Sequence, residues 1–452
     1  MRPITLMSSF TPSSLKAALA LGAGLAVFGF GAAASAQDAP PAVPAAPPGP
    51  VTQPAPPPGT TQPGPTQPQA APAPPGTIAV PGAPAPPAAA APTPPNYKLQ
   101  YNGLIDGYYL FNFHNPKNVS QGAGEAYYDT RHNSPALSLA EMNVFQNAAP
   151  GKFGYKATFM TGDTADINHV NSFGSSLGEG RYKNVQQLYG TYAFGADGSG
   201  VDFGKFYTPF GYEVTESNGN YNYSRSTAYN YVPFYHAGAR IYAPVPGLAA
   251  LTATFYLVNG VFNTPTMGVQ NDSKRPGYMG QLNYTDPKGK FTLISELGLD
   301  KQEFYGSGGP DTKVVVNDNN FTYNFNANQL AGLDYVYRKT TPDGGGKETV
   351  NSYAVYYRQA LTAKTAVALR FSGAEDKFEG GSVISPDGTV RPYDITATYE
   401  IKPVANFLTR IEYRHDHSNV PSFFGGNDDA ASGASRKDQD TLSLSGVFTF
   451  QQ

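Results

Sequence analysis

The 452-residue chain contains no cysteine and no tryptophan. Missing thiols exclude disulfides, thiolate metal sites, cysteine nucleophiles and lipid attachment at an N-terminal cysteine. Charge is also scarce. Asp, Glu, Lys and Arg make up 14% of residues, against about 25% in an average soluble domain. The net charge of −3 gives no electrostatic footprint for nucleic acid. Past the first 36 residues there is no apolar run of the roughly 18 residues that a spanning helix needs. No P-loop, dinucleotide fingerprint or Ser/His/Asp order stands out.

What is abundant is Tyr (31), Phe (27) and Gly (49), at a mean hydropathy of only −0.36. Aromatic-rich, charge-poor and not greasy overall is the composition of strands that alternate apolar and polar residues across a membrane.

The N-terminus carries Arg2 and Lys16, an apolar run from Ala17 to Phe30, and then Ala34-Ser35-Ala36. A basic start, a short apolar core and a small-residue site predict an exported chain with residues 1–36 as a cleaved signal peptide. Residues 37–95 hold 23 of the 41 prolines. Such a segment builds no core and is expected to be an extended, disordered periplasmic spacer. Contact with the cell wall is the specific role it leaves open.

From Asn96 to the end, segments of about ten residues alternate with period two. In LQYNGLIDGYYLFNF, Leu99, Tyr101, Ile105, Tyr109, Phe111 and Phe113 share one face, opposite Gln100, Asn102, Asp106 and Asn112. KFGYKATFM, KFTLISELGL, AVALRFS, PYDITATYEI and NFLTRIEYRH repeat the pattern. About fifteen such segments are visible. Single-chain outer-membrane barrels have even strand numbers, so the expected fold is all-β: a closed antiparallel transmembrane β-barrel of 16 strands, with 14 as the alternative, over residues 96–452. A tight turn is expected at Asp286–Lys290, and long polar loops at 301–327, 373–390 and 416–438. The final TLSLSGVFTFQQ should be an amphipathic last strand, with Leu442, Leu444, Val447, Phe448 and Phe450 apolar, of the kind read by the outer-membrane assembly machinery.

The polar strand faces carry charge at Asp106, Lys156, Arg240, Glu296, Arg370, Arg410, Glu412 and Arg414. If the apolar faces meet lipid, these point into the lumen, because Arg or Lys on the lipid face at mid-membrane costs about 2–4 kcal/mol. There they either brace the wall or bias solute choice. Residues 204–226, GKFYTPFGYEVTESNGNYNYSRS, are the densest unusual stretch. Glu213 and Glu216 could be read as an acid/base pair with tyrosine platforms, which would make the chain a secreted carbohydrate-active protein. Carboxylates three residues apart on a Gly/Pro-rich loop do not establish the separation of about 5–9.5 Å that glycoside hydrolysis needs. The stronger expectation is that a strand ends at Tyr207, Pro209 and Gly211 break the ladder, and the remainder narrows the barrel mouth. Glu213, Glu216, Arg225, Tyr221 and Tyr223 would then sit at the constriction, with Arg225 pairing with a glutamate. His415-Asp416-His417 could seed a metal site, although a solvated loop is the plainer reading.

The sequence resembles the OmpL-like outer-membrane β-barrel porin family of Gram-negative bacteria. The resemblance rests on residues 99–116, SLAEMNVF (138–145), VQQLYGTY (185–192), residues 204–226, VPFYHAGARIY (232–242) and LVNG (257–260). It implies an integral outer-membrane barrel through which small hydrophilic solutes or ions diffuse passively. No catalytic residues and no cofactor are implied. The partners expected are the lipid bilayer, the solutes and the assembly machinery, with a homo-oligomer left open. The rival reading is a non-conducting barrel that serves as an adhesin or envelope tether.

Overall fold

A computed structural model describes residues 97–117, 127–168, 184–261, 275–303, 311–379, 385, 387–426, 428 and 433–451. The signal-peptide and spacer segments expected at 1–95 lie outside the described residues. Seventeen strands form one sheet: β1 (Gln100–Asn112), β2 (Pro135–Gln146), β3 (Phe153–Thr161), β4 (Val185–Ala193), β5 (Gly200–Tyr207), β6 (Tyr235–Val245), β7 (Leu248–Val258), β8 (Gly277–Thr285) and β9 (Phe291–Glu303), followed by β10 (Asp311–Asn326), β11 (Gln329–Pro342), β12 (Glu348–Ala360), β13 (Thr365–Phe378), β14 (Thr389–Val390), β15 (Pro392–Val404), β16 (Phe407–Ser418) and β17 (Asp438–Gln451). Each pairs antiparallel with its neighbours, and β17 closes on β1 from Asn102↔Gln451 to Asn112↔Thr441. The two-residue β14 is a supernumerary strand beside β13, which itself pairs with β15. Sixteen strands therefore make the closed barrel.

The burial pattern is inverted relative to a soluble protein. Leu188, Ile395, Leu444 and Phe255 are about half exposed, while their strand neighbours are buried. An apolar belt on the outside is what a barrel wall facing lipid requires. Closure gives every strand a partner on both sides, so no backbone polar group is left to face hydrocarbon.

The connections segregate by length. Residues 246–247, 327–328 and 405–406 are two-residue turns, and Asp286–Lys290 is tight as expected, with the Gly289 amide donating to the Asp286 carbonyl at 2.7 Å. Both ends of the barrel lie on this short-turn side. On the other side are the longer connections β1–β2, β3–β4, β5–β6, β7–β8 and β16–β17. Short turns face the periplasm and long loops the exterior in barrels of this kind.

Three expectations need correction. Residues 301–327 are not a loop, because 311–326 form β10, the longest strand. Its outward Asn317 and Asn319 are polar, which hides the alternation. They are satisfied sideways: Asn319 donates to Asn317 (2.8 Å), Asn317 to the Glu296 carbonyl (2.8 Å), and Ser295 to Asn319 (2.8 Å). The long loops placed at 373–390 and 416–438 begin later, since β13 runs to Phe378 and β16 to Ser418. In β17, Val447 faces inward against Leu104, Leu139 and Met160, whereas Leu442, Leu444 and Phe448 face out.

Candidate functional site: a loop folded into the barrel

Strand β5 ends at Tyr207, as expected, and residues 208–234 return to β6 by way of the barrel interior. Pro209 has no amide to continue the ladder. Gly211 adopts φ +95°, which L side chains rarely take. Two short 3₁₀ turns, Ser217–Gly219 and Ala228–Tyr231, punctuate the loop. Almost all of it is buried.

One flank of the loop is apolar. Phe206, Phe210, Val232 and Phe234 pack with Tyr256, Val258, Val261, Met279, Val314, Val316 and Val336 from β7 to β11 and the 259–276 loop. The lumen is thus partly filled by an apolar core, which period-two alternation of polar inward faces did not foretell. Tyr212 stacks on Tyr356 of β12 at 4.6 Å and 14°. Gly332 makes room for it: a Cβ there would lie 2.3 Å from the Tyr212 hydroxyl.

The other flank is held by charge. A backbone without sheet partners must find other acceptors and donors for its amides and carbonyls, and the wall supplies them. Arg370 (β13) donates to the Ser224 carbonyl at 2.5 Å and to Glu213 at 3.1 Å. Arg410 (β16) donates to the carbonyls of Ser217 (2.9 Å) and Asn220 (2.6 Å). Arg414 donates to the Arg225 carbonyl and to Asp416. Glu412 accepts the amides of Tyr223 (2.5 Å) and Ser224 (2.9 Å). Asp106 (β1) accepts the hydroxyls of Ser217 (2.6 Å) and Tyr223 (3.1 Å). Asp318 (β10) accepts the amide of Gly211, and Asp394 (β15) that of Thr227. The loop is therefore tied to opposite walls of the barrel.

The five proposed constriction residues are all in this loop. Glu213 is bound by Arg370 and the Ser226 amide (2.7 Å). Glu216 accepts the Tyr207 hydroxyl at 2.7 Å. The two carboxylates thus have separate structural partners. Tyr221 packs beside Tyr212 and Tyr356, and Tyr223 beside Tyr108. Arg225 departs from expectation. Rather than pairing with a glutamate, it donates to the carbonyls of Val214 (2.9 Å), Thr215 (2.5 Å) and Tyr223, and lies over the Tyr128 ring at 5.1 Å. A guanidinium with five fixed donors suits a bend that presents several carbonyls.

Of the eight wall charges, Asp106, Arg240, Glu296, Arg370, Arg410, Glu412 and Arg414 are buried on the interior face. Arg240 pairs with Asp202 at 2.7 Å, and Glu296 accepts from Gln281 at 2.7 Å. Lys156 also faces inward but, among the described residues, closes no ion pair. His415 and His417 share the outer face of β16 and bond Asp440 and Asp438 of β17. Asp416 points the opposite way, to Arg414, so the three cannot meet on one ion. Among the described residues no group of three or more His, Asp or Glu is placed to hold a metal.

Sequence reasoning missed Tyr128 and Asn168. Tyr128, from the 113–134 loop, donates to Asn168 (2.6 Å) in a short helix α1 (Asp163–Asn168) and shares a hydrogen bond with Tyr229 (2.9 Å). Three long loops are thereby linked over the constriction. Only the aromatic pair Tyr127-Tyr128 in a polar loop could have signalled this. On the short-turn side of the loop lies a cavity of about 440 Å³, lined by Asn102, Glu141, Asn143, Lys156, Glu216 and Thr449 among others.

A model of the family described as "Putative beta-barrel porin-2, OmpL-like" matches residues 98–450. Similar folds occur in an anion-selective porin from Comamonas acidovorans (TM-score 0.51, 13% identity, covering 78% of this chain and 99% of that one). They also occur in the channel DcaP of Acinetobacter baumannii (0.51, 11%, 78% and 97%). In vitro-folded OmpT of Vibrio cholerae, in a trimer form, is a third (0.51, 8%, 78% and 99%). No curated protein matches the sequence.

Proposed function

The chain belongs to the OmpL-like β-barrel porin-2 family and is an integral outer-membrane barrel, and from that premise we propose that it is a porin for passive diffusion of small hydrophilic solutes. The observation that carries the reading is the loop 208–234, folded into the lumen and bonded to β1, β13, β15 and β16. A segment that only capped the barrel would not need buried arginines to hold its carbonyls at membrane depth. A fixed loop that narrows a polar lumen sets an upper size for solutes, and charges beside it bias their choice. Glu213, Glu216, Arg225, Tyr221 and Tyr223 are proposed as its narrowing residues. Here Glu213 and Arg225 fix the loop's shape and Glu216 faces the cavity.

The test is single-channel recording of the purified protein in a planar bilayer, with ion selectivity read in a salt gradient. Conductance steps that scale with salt support the porin. Electrical silence from folded, heat-modifiable protein would favour the adhesin or tether. Family and fold speak for a channel over an enzyme, and the separate partners of Glu213 and Glu216 favour no hydrolase.

Residues 1–36 are proposed as a signal peptide and 37–95 as a periplasmic spacer, which leaves the barrel on the short-turn side. A homo-oligomer is proposed through the low wall β3–β5, where Phe153 and Phe203 stand 77% and 74% exposed. Chemical cross-linking in detergent tests it.

A further inference from the structure

The cavity beneath the loop holds two carboxyls that face each other, Glu141 and Glu216, and an ammonium, Lys156, that closes no ion pair with either. Glu141 (β2) is 5% exposed. Its Oε1 accepts from Asn143 at 2.6 Å, Oε2 is buried with no donor, and the carboxyl abuts that of Glu216. A buried carboxylate oxygen without a donor carries an uncompensated desolvation cost. Glu216, from the loop, lines the same space, with one oxygen taken by the Tyr207 hydroxyl. Lys156 (β3) lines it and, among the described residues, closes no ion pair. Its ammonium feels both glutamates electrostatically, yet no pair closes within 4.0 Å.

Register explains the separation. Asn143 stands opposite Thr158, and Thr158 donates to it at 2.6 Å. That bond stands between Glu141 and Lys156, which precedes Thr158 by two residues on β3. The wall therefore presents Glu141 and Lys156 held apart by a neutral bonded pair, and Glu216 reaches the same space from the loop. Around them lie Phe234, Tyr229 and Phe450. A volume of about 440 Å³ falls within the range of roughly 300–1,000 Å³ typical of small-molecule pockets.

We propose that this cavity is a binding station for a zwitterionic solute that carries an ammonium and a carboxylate, the chemistry of an amino acid or short peptide. The solute's ammonium meets Glu141 and Glu216, and its carboxylate meets Lys156. An anion alone or a cation alone satisfies one half of the site and leaves the other facing it with like charge. The proposal rests on the porin reading only in setting this station on the solute's path.

The test is isothermal titration calorimetry of the full folded protein in detergent. The probes are L-alanyl-L-alanine, its N-acetyl derivative and its methyl ester. The expected result is saturable binding of the free dipeptide, about tenfold or more tighter than either singly charged relative, a difference of about 1.4 kcal/mol. Lys156→Met should weaken the dipeptide but not the ester. Glu141→Gln should weaken it but not the N-acetyl form. Glu216→Gln, in the loop, serves the same purpose if Glu141→Gln does not fold. Absence of saturable heat from folded protein, or equal affinity for all three probes, overturns the proposal. Binding is read without conduction, so a conducting barrel that ignores the dipeptide sinks the station alone. A barrel that binds it but never conducts sinks the porin reading instead.

Discussion

Arg370 on the barrel wall and Glu213 on the inserted loop lie 3.1 Å apart, with both side chains almost fully removed from solvent. Arg370 also holds Asp394 at 3.0 Å and the Ser224 carbonyl. One guanidinium therefore joins two strands and two points of the loop. Arg370→Met should take the ion-pair partner from Glu213 and leave Asp394 only Arg414 at 3.8 Å, a loss of about 3–5 kcal/mol. Urea unfolding from lipid vesicles reads this loss. Arg370→Lys should recover only part of it, because an ammonium cannot reproduce the fork. A wild-type midpoint in the Met variant would show that the pair does not brace the loop.

Removing Ser217–Tyr223 takes away the part of the loop gripped by Asp106, Arg410 and Glu412. Unit conductance in a planar bilayer should rise. If it is unchanged, the segment braces the wall and does not narrow the path.

Gly332 and Tyr212 share one small space. Gly332→Ala should cost about 1–3 kcal/mol by overpacking. A Cβ would also meet Tyr212 Cζ at 2.6 Å, so Tyr212→Phe in the same chain should return only part of that loss. The returned part is offset by about 1 kcal/mol for the missing bond to Thr322. A double-mutant cycle on urea stability measures the coupling, and strictly additive effects would refute the steric account.

On the outer face, Leu444→Arg should cost about 2–4 kcal/mol if this residue meets the middle of the bilayer. Refolding yield into vesicles, scored by heat-modifiable gel migration, is the readout.

Outside the membrane, the Ser385 hydroxyl, the Thr389 amide and Arg391 hold the Asp387 carboxyl down at about 2. A depressed acid contributes its local order fully above its unfolded value of about 4. It loses that order as pH falls through 2. The Thr389 amide resonance should therefore titrate between about pH 4 and 2, and Asp387→Asn should abolish the change.

Strands were legible where one face is apolar, as in residues 99–113 and 392–401, because lipid on one side and a filled lumen on the other impose period two. Strand β10 was not, since Asn317 and Asn319 meet their needs with neighbours on the outer face and leave no hydropathy signal. The loop at 204–226 announced itself by composition, and its start and break at Tyr207 and Pro209 could be read directly. Its anchoring could not. Arg225 finds carbonyls of its own loop, and Arg410 reaches a carbonyl 193 positions away. Backbone acceptors carry no mark in a sequence.

The wall is not of even height. Strand β5 has 8 residues and β10 has 16. At about 3.4 Å per residue and a tilt near 40°, these rise roughly 20 Å and 40 Å. The apolar band of such barrels is about 25 Å tall, so lipids beside β5 must thin while those beside β10 need not. The barrel thereby imposes a gradient of bilayer thickness around its circumference. A host membrane that thickens strains the β3–β5 side of an isolated barrel first, at a fraction of a kcal/mol for each Å of mismatch, a cost that association through this wall would remove.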